Sequence, residues 1–247
     1  MRKIRSGYLL VSSLIISFFH FPIHAARTAI NHAFPPSPAP IPALAKKEPT
    51  SLAALLPMYD SLQLGLSGLS RQAYEFACKG FNRLISEGRV LNDSILSIVD
   101  FSEPSSEKRL FILDIRHYKV LFNTLVAHGR NSGREWANSF SNKPSSFKSS
   151  PGFYLTAETY EGNNGYSLRL QGLEAGVNDH AYDRGIVIHG AGYVSDAFVQ
   201  AQGYIGRSEG CPAVPREYAP GIINTIRGGS CFYIYHPAWA GHSSILH

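Results

Sequence analysis

The feature that most restricts the fold of this chain lies beyond residue 95, where short apolar runs follow one another at close intervals. They are RLFILDI (109–115), HYKVLFNTLVAHG (117–129), GFYLT (152–156), YSLRLQGL (166–173), GIVIHG (185–190) and CFYIYH (231–236). Each is rich in β-branched and aromatic residues and is bounded by Gly, Asn, Ser or Pro, the pattern of strands joined by turns. Between two of them stands Glu161-Gly162-Asn163-Asn164-Gly165, a strong hairpin-turn signal. Six strand-like runs with little helical pattern between them predict a mainly β domain over residues 96–247. No internal repeat is visible.

The chain before residue 96 divides into three parts. Residues 51–95 carry apolar residues at helical intervals. SLAALLPMYDSLQL (51–64) is interrupted by Pro57, and Ser70 is placed to cap a helix RQAYEFACKGFNRLISEG (71–88) that Gly88 would stop. Residues 26–50 contain FPPSPAPIPALAKKEP, in which Pro at this density blocks helix and sheet and favours an extended linker. Residues 1–25 read as a secretory signal: Arg2, Lys3 and Arg5, an apolar run from Tyr8 to Phe19, then Ala25 and Ala26. The run is short for a span of about 20 apolar residues, so a periplasmic or secreted protein with no stable membrane anchor after cleavage is expected. The formal net charge is +5, and without the three basic residues of the signal it falls to +2. That is too little to argue for nucleic acid or an anionic membrane as partner.

The candidate chemistry sits in the last third of the chain. The strand Gly185-Ile186-Val187-Ile188 ends at His189-Gly190, and Gly206-Arg207-Ser208-Glu209-Gly210-Cys211-Pro212 follows. A thiol is a good nucleophile only as thiolate, which an adjacent imidazole can supply. Gly210 lets the backbone approach a substrate carbonyl closely, and the N–H groups of Gly210 and Cys211 are candidates to face the oxyanion of a tetrahedral intermediate. His128, which also precedes a glycine at a strand end, is the rival base. The other two cysteines, Cys78 and Cys231, lie on apolar faces and read as packed residues, with a disulfide between them left open. No His-x-x-x-His zinc motif occurs among the 10 histidines, and neither metal nor cofactor is expected.

These residues resemble the L,D-transpeptidase catalytic domain, the YkuD-like fold, and in particular the murein L,D-transpeptidase group. The resemblance rests on VAHGRNSG (126–133), FSN (140–142), SSPGFYLT (149–156), YSLRLQGLE (166–174), VIHGAGYVS (187–195) and GRSEGCPAVP (206–215), in that order. It implies a β-sandwich-like catalytic domain with a helical N-terminal extension, acting on peptidoglycan stem peptides through a thioacyl-enzyme. Carried over residue by residue, it implies Cys211 as nucleophile, His189 as base, the carbonyl of Gly190 as the group that orients the imidazole, and Ser208 as the serine of the motif. The chain departs from the family pattern at Glu209, where the motif has His, and in a slightly longer spacing from His189 to Ser208.

Arg207 is read as a contact for a substrate carboxylate, with a plain loop charge as the alternative. Tyr193, Gly210 and Asn131 are further substrate-binding candidates, although Arg130 and Asn131 also suit a turn. Three functions follow for such a site: an L,D-transpeptidase, an L,D-carboxypeptidase or endopeptidase on the same residues, and a wall-binding module that keeps the fold without catalysis. A binding module has no need of both Cys211 and His189, which favours the enzymes.

Overall fold

The computed structural model describes residues 51–247; the expected signal segment and Pro-rich linker lie outside the described residues. Three helices precede the sheet: α1 (Leu52–Leu55), α2 (Met58–Ser61) and α3 (Arg71–Ser86). The hydroxyl of Ser70 accepts from the N–H of Ala73 at 3.3 Å and starts α3, satisfying a donor that the first turn leaves free. The chain leaves α3 through Gly88, in the left-handed region at φ 69°. Ala73, Tyr74, Ala77, Cys78, Phe81 and Leu84 form its buried face, at the three- and four-residue spacing an amphipathic helix requires. Among the described residues no helix is long and apolar enough to cross a membrane.

Eight strands follow: β1 (Asn92–Asp100), β2 (Leu110–Asp114), β3 (Lys119–Thr124), β4 (Gly152–Gly162), β5 (Gly165–Gly172), β6 (Val187–Ala191), β7 (Ala213–Pro215) and β8 (Ser230–Tyr235). They form one sheet in the order β3-β2-β1-β8-β4-β5-β6-β7. Neighbours are antiparallel except the parallel pairs β1–β8 and β6–β7. The hairpin expected at 161–165 is present, with Asn163-Asn164 joining β4 to β5. Helices α4 (Asp196–Gln202), α5 (Ala219–Ile226) and α6 (Pro237–Ala240) interrupt or follow the later strands.

Both faces of the sheet are covered, which explains why central strands read as unbroken apolar runs. β8 is buried at every position. Its Cys231, Tyr233 and Tyr235 pack with α3, while Phe232 and Ile234 pack on the opposite face with Ile222, Ile223 and Ile226 of α5, as the two-residue period of a strand requires. The chain leaving β3 turns back along the far edge. The N–H of Ala127 donates to the carbonyl of Ala213 at 2.8 Å, and that of Ser208 to the carbonyl of His128 at 2.9 Å. These bonds bring the two ends of the sheet together, so it is curled nearly into a barrel. The mainly β architecture with an N-terminal helical layer is the one expected. The two layers of the sandwich-like domain are opposite walls of one continuous sheet around α5. The seam where the ends meet is where the candidate site lies.

Candidate active site

His189 stands in the middle of β6, with its backbone paired to Ser167 of β5 on one side and Ala213 of β7 on the other. Strands on both sides leave the backbone no freedom to shift. The ring is buried, and Nδ1 lies 3.2 Å from the carbonyl oxygen of Gly190. A carbonyl only accepts, so Nδ1 carries the proton and Nε2 keeps its lone pair. Burial holds the imidazole below the usual histidine range, and the bond to Gly190 partly offsets this. His189 is therefore neutral at neutral pH.

Cys211 is placed by a loop tied down at several points. The Oγ of Ser208 accepts from the N–H of Gly210 at 3.1 Å and donates to the carbonyl of Cys211 at 2.6 Å. Gly210 has φ 123°, and a Cβ there would stand 2.8 Å from the carbonyl oxygen of Lys148, so only glycine fits without strain. The Cys211 side chain is partly exposed, with Sγ 3.7 Å from the carbonyl of Gly185. Burial pushes its thiol up; the backbone N–H of Val187 and the Arg184 guanidinium oppose this, and Glu209 adds a smaller upward push.

Cys211 and His189 line one cavity of about 600 Å³, together with Arg184, Tyr193, Arg207 and Ser208. Tyr193 is half-buried in its wall, and burial, then the nearby Cys211 and Glu209, raise its phenol to about 12. Arg207 is at the rim, 3.3 Å from the carbonyl of Gly133. Asn131 does not line this cavity. Its side-chain amide donates to the carbonyl of Ser146 at 2.9 Å, so it braces the 145–147 turn. The expectation that the Gly210 N–H faces an oxyanion meets a direct competitor, because that N–H is engaged by Ser208. The N–H of Cys211 itself donates to no acceptor among the described residues. Glu209, which also lines the cavity, pairs with Arg130 at 3.4 Å.

His128, the rival base, is fully buried elsewhere. Its Nδ1 lies 2.8 Å from Nη2 of Arg109, and its Nε2 lies 3.3 Å from the carbonyl of Gly133. A guanidinium only donates, so Nδ1 must accept and the ring must be neutral. Burial and then Arg109 depress it to about 3. Arg109 also donates to the carbonyls of Val126 and Glu103. Both residues therefore hold the seam and do not enter the cavity.

Two residues of the site were not anticipated. Arg184, which no sequence pattern singled out, reaches under the segment 141–150 and lines the cavity. Ser149 bridges the two sides of the seam: its Oγ accepts from the N–H of Gly129 at 3.0 Å and donates to the carbonyl of Gly210 at 3.1 Å. The SSPGFYLT stretch pointed to that region without giving the role. Cys78 and Cys231 are buried free thiols, with burial raising Cys78 to about 12 and Cys231 further. Among the described residues no group of three or more His, Cys, Asp or Glu is arranged to hold a metal ion.

No curated protein matches the chain. Two solved structures are similar in part: the LD transpeptidase LdtMt1 in complex with imipenem, at 13% identity and TM-score 0.37, covering 57% of this chain and 59% of that one, and the L,D-transpeptidase from Mycobacterium smegmatis, at 15% and 0.36, covering 58% and 59%. The chain thus spans less than two thirds of either of those chains. The model of the L,D-transpeptidase catalytic domain matches residues 66–235, well over half of the sequence and the whole of β1 to β8, and the chain belongs to that family.

Proposed function

We propose that this chain is a cysteine-dependent acyl transferase of peptidoglycan stem peptides, acting outside the cytoplasmic membrane. The observation that carries the reading is the joint placement of Cys211 and His189 on one open cavity, with the imidazole held neutral and its Nδ1 proton turned to Gly190. A neutral imidazole beside a neutral thiol suits general-base activation, in which proton transfer accompanies attack.

The Cys211 sulfur attacks the carbonyl carbon of the donor peptide bond while its proton passes to Nε2 of His189. The free N–H of Cys211 stabilises the oxyanion that forms. The C–N bond breaks, His189 returns the proton to the departing amine, and a thioester remains. An acceptor amine attacks the thioester, the C–S bond breaks, and the thiol regains its proton through His189. A second cavity of about 420 Å³ borders His189 on the side of Gly190 and Arg216, which supports an acceptor peptide reaching the thioester and so favours transfer over hydrolysis.

The test is incubation of the protein, without its first 25 residues, with purified muropeptides and mass-spectrometric identification of the products. Cross-linked dimers lost in Cys211→Ala support the proposal. Shortened stem peptides alone would make the protein a carboxypeptidase on the same site, and no product would favour the wall-binding reading.

A further inference from the structure

The family motif carries an ionisable histidine next to the catalytic loop, and this chain has Glu209 there. Glu209 does not fill the gap, being largely exposed and paired with Arg130. The charged or titratable groups around the Cys211 cavity, besides Cys211 itself, are His189, Tyr160, Tyr193, Arg130, Arg184, Arg207 and Glu209. Arg130 faces Glu209 and lies over the Phe147 ring, 4.0 Å from its centroid, and Arg207 is on the rim. Arg184 alone of the three cations is held by a dense set of neutral acceptors. Nη1 donates to the carbonyl of Ser141 at 2.8 Å and to Oγ of Ser150 at 2.6 Å, and Nη2 to the carbonyl of Lys148 at 2.6 Å and Oγ of Ser146 at 3.3 Å. Among the described residues no carboxylate lies within salt-bridge distance of it. Its Nη2 would be 3.4 Å from a Cβ at Gly210, the residue next to Cys211.

A half-buried guanidinium whose hydrogen-bond partners are all neutral keeps more of its field than one paired with a carboxylate or fully in water. Four bonds to a single segment keep that charge in one place. We propose that Arg184 is a positioning residue that supplies a fixed positive charge beneath the Cys211 sulfur, in the role an ionisable side chain of the catalytic loop would otherwise fill, and that it fixes the 141–150 wall of the cavity at the same time. The inference rests on Cys211 as the reactive thiol. Its electrostatic part agrees with the downward push that Arg184 exerts on that thiol against burial.

The experiment measures the pH dependence of Cys211 alkylation by iodoacetamide, read by mass spectrometry of the Cys211 peptide, in the wild type, Arg184→Gln and Arg184→Lys. Cys78 and Cys231 are buried and do not compete. Loss of the charge in Arg184→Gln is expected to move the alkylation profile about one unit to higher pH, hence roughly tenfold slower reaction at neutral pH. Arg184→Lys, which keeps the charge, is expected to stay within about 0.3 units of the wild type. An unchanged profile in a folded Arg184→Gln variant would overturn the proposal and leave Arg184 a purely structural brace. Should Arg184→Gln fail to fold, a shift of about one unit in folded Arg184→Lys would overturn it equally. Alkylation needs no turnover, so the result is independent of whether muropeptides are the substrate.

Discussion

The hydroxyl of Ser208 joins two backbone groups of one loop, accepting from the N–H of Gly210 at 3.1 Å and donating to the carbonyl of Cys211 at 2.6 Å. The serine of the motif thus ties two backbone groups of its own loop together. Ser208→Ala leaves the buried N–H of Gly210 unpaired and takes one of two donors from the carbonyl of Cys211, which the N–H of Ala213 still meets at 3.1 Å, at a cost of about 1–3 kcal/mol in folding stability. It is expected to slow Cys211 acylation at least tenfold, roughly, through misplacement of the sulfur. Ser208→Thr, which keeps the hydroxyl, should recover most of the loss. Urea unfolding and single-turnover acylation of the three proteins check this; an alanine variant as fast and as stable as the wild type would refute the bracing role.

Gly210 offers a second test of the same loop. Its φ of 123° and the 2.8 Å approach of the Lys148 carbonyl to a Cβ make Gly210→Ala strained by about 1–3 kcal/mol. The expected outcome is a lower Tm together with loss of acylation, since the loop must move away from Ser149 to relieve the contact. Full activity in Gly210→Ala would show that the loop yields freely.

His128 gives the seam a pH dependence. The unfolded chain takes up a proton near the ordinary value of 6.5, whereas the folded ring resists until about 3 because of burial and Arg109. Between those values the unfolded state binds more protons, so stability is full above pH 6.5 and falls as pH drops toward 3. The loss from this one ring reaches up to about 5 kcal/mol by that linkage. His189 and His236, also depressed by burial, act in the same direction. Urea unfolding at pH 7, 5 and 4 should show a steeper acid loss for the wild type than for His128→Gln; parallel losses would place the acid sensitivity elsewhere.

How far these features were legible in the sequence differs residue by residue. α3 and the Asn163-Asn164 hairpin follow from local pattern and stand where it puts them, whereas the strand expected to end at His189 runs from Val187 to Ala191, with His189 at its centre. β1 was missed because it opens with Asn92-Asp93-Ser94, residues more typical of a loop, and is held by β2 and β8 on either side. β7 has three residues and ends in Pro215, so nothing short of its pairing with β6 reveals it. The choice between His189 and His128 is local in neither case: it depends on Arg109, which lies 19 positions from His128 and fixes its protonation. Arg184 depends likewise on a segment 34 to 43 residues earlier. Asn131 was grouped with the substrate contacts on sequence and is occupied by Ser146.

Glu209 raised the question of whether a carboxylate in the motif suppresses the thiol. Its side chain is 67% exposed and paired with Arg130, and of the groups that shift Cys211 it comes last. Exposed charges of this kind are worth little. Glu209→Gln is therefore expected to speed Cys211 alkylation at pH 7 by less than about threefold. An acceleration of tenfold or more would make Glu209 a dominant brake on the thiol.

In the proposed reaction the Cys211 sulfur forms the acyl bond. The most direct test follows the intact mass of the protein and of its Cys211 peptide during incubation with a stem-peptide donor, for the wild type, Cys211→Ala and Cys211→Ser. The thiol, and not the packing of a small side chain, is what the reaction needs, so the variants should fold and yield no product. The wild type should show a transient mass increase equal to the donor acyl group, located on Cys211. Product formation by both variants, or an adduct on any other residue, would contradict the assignment.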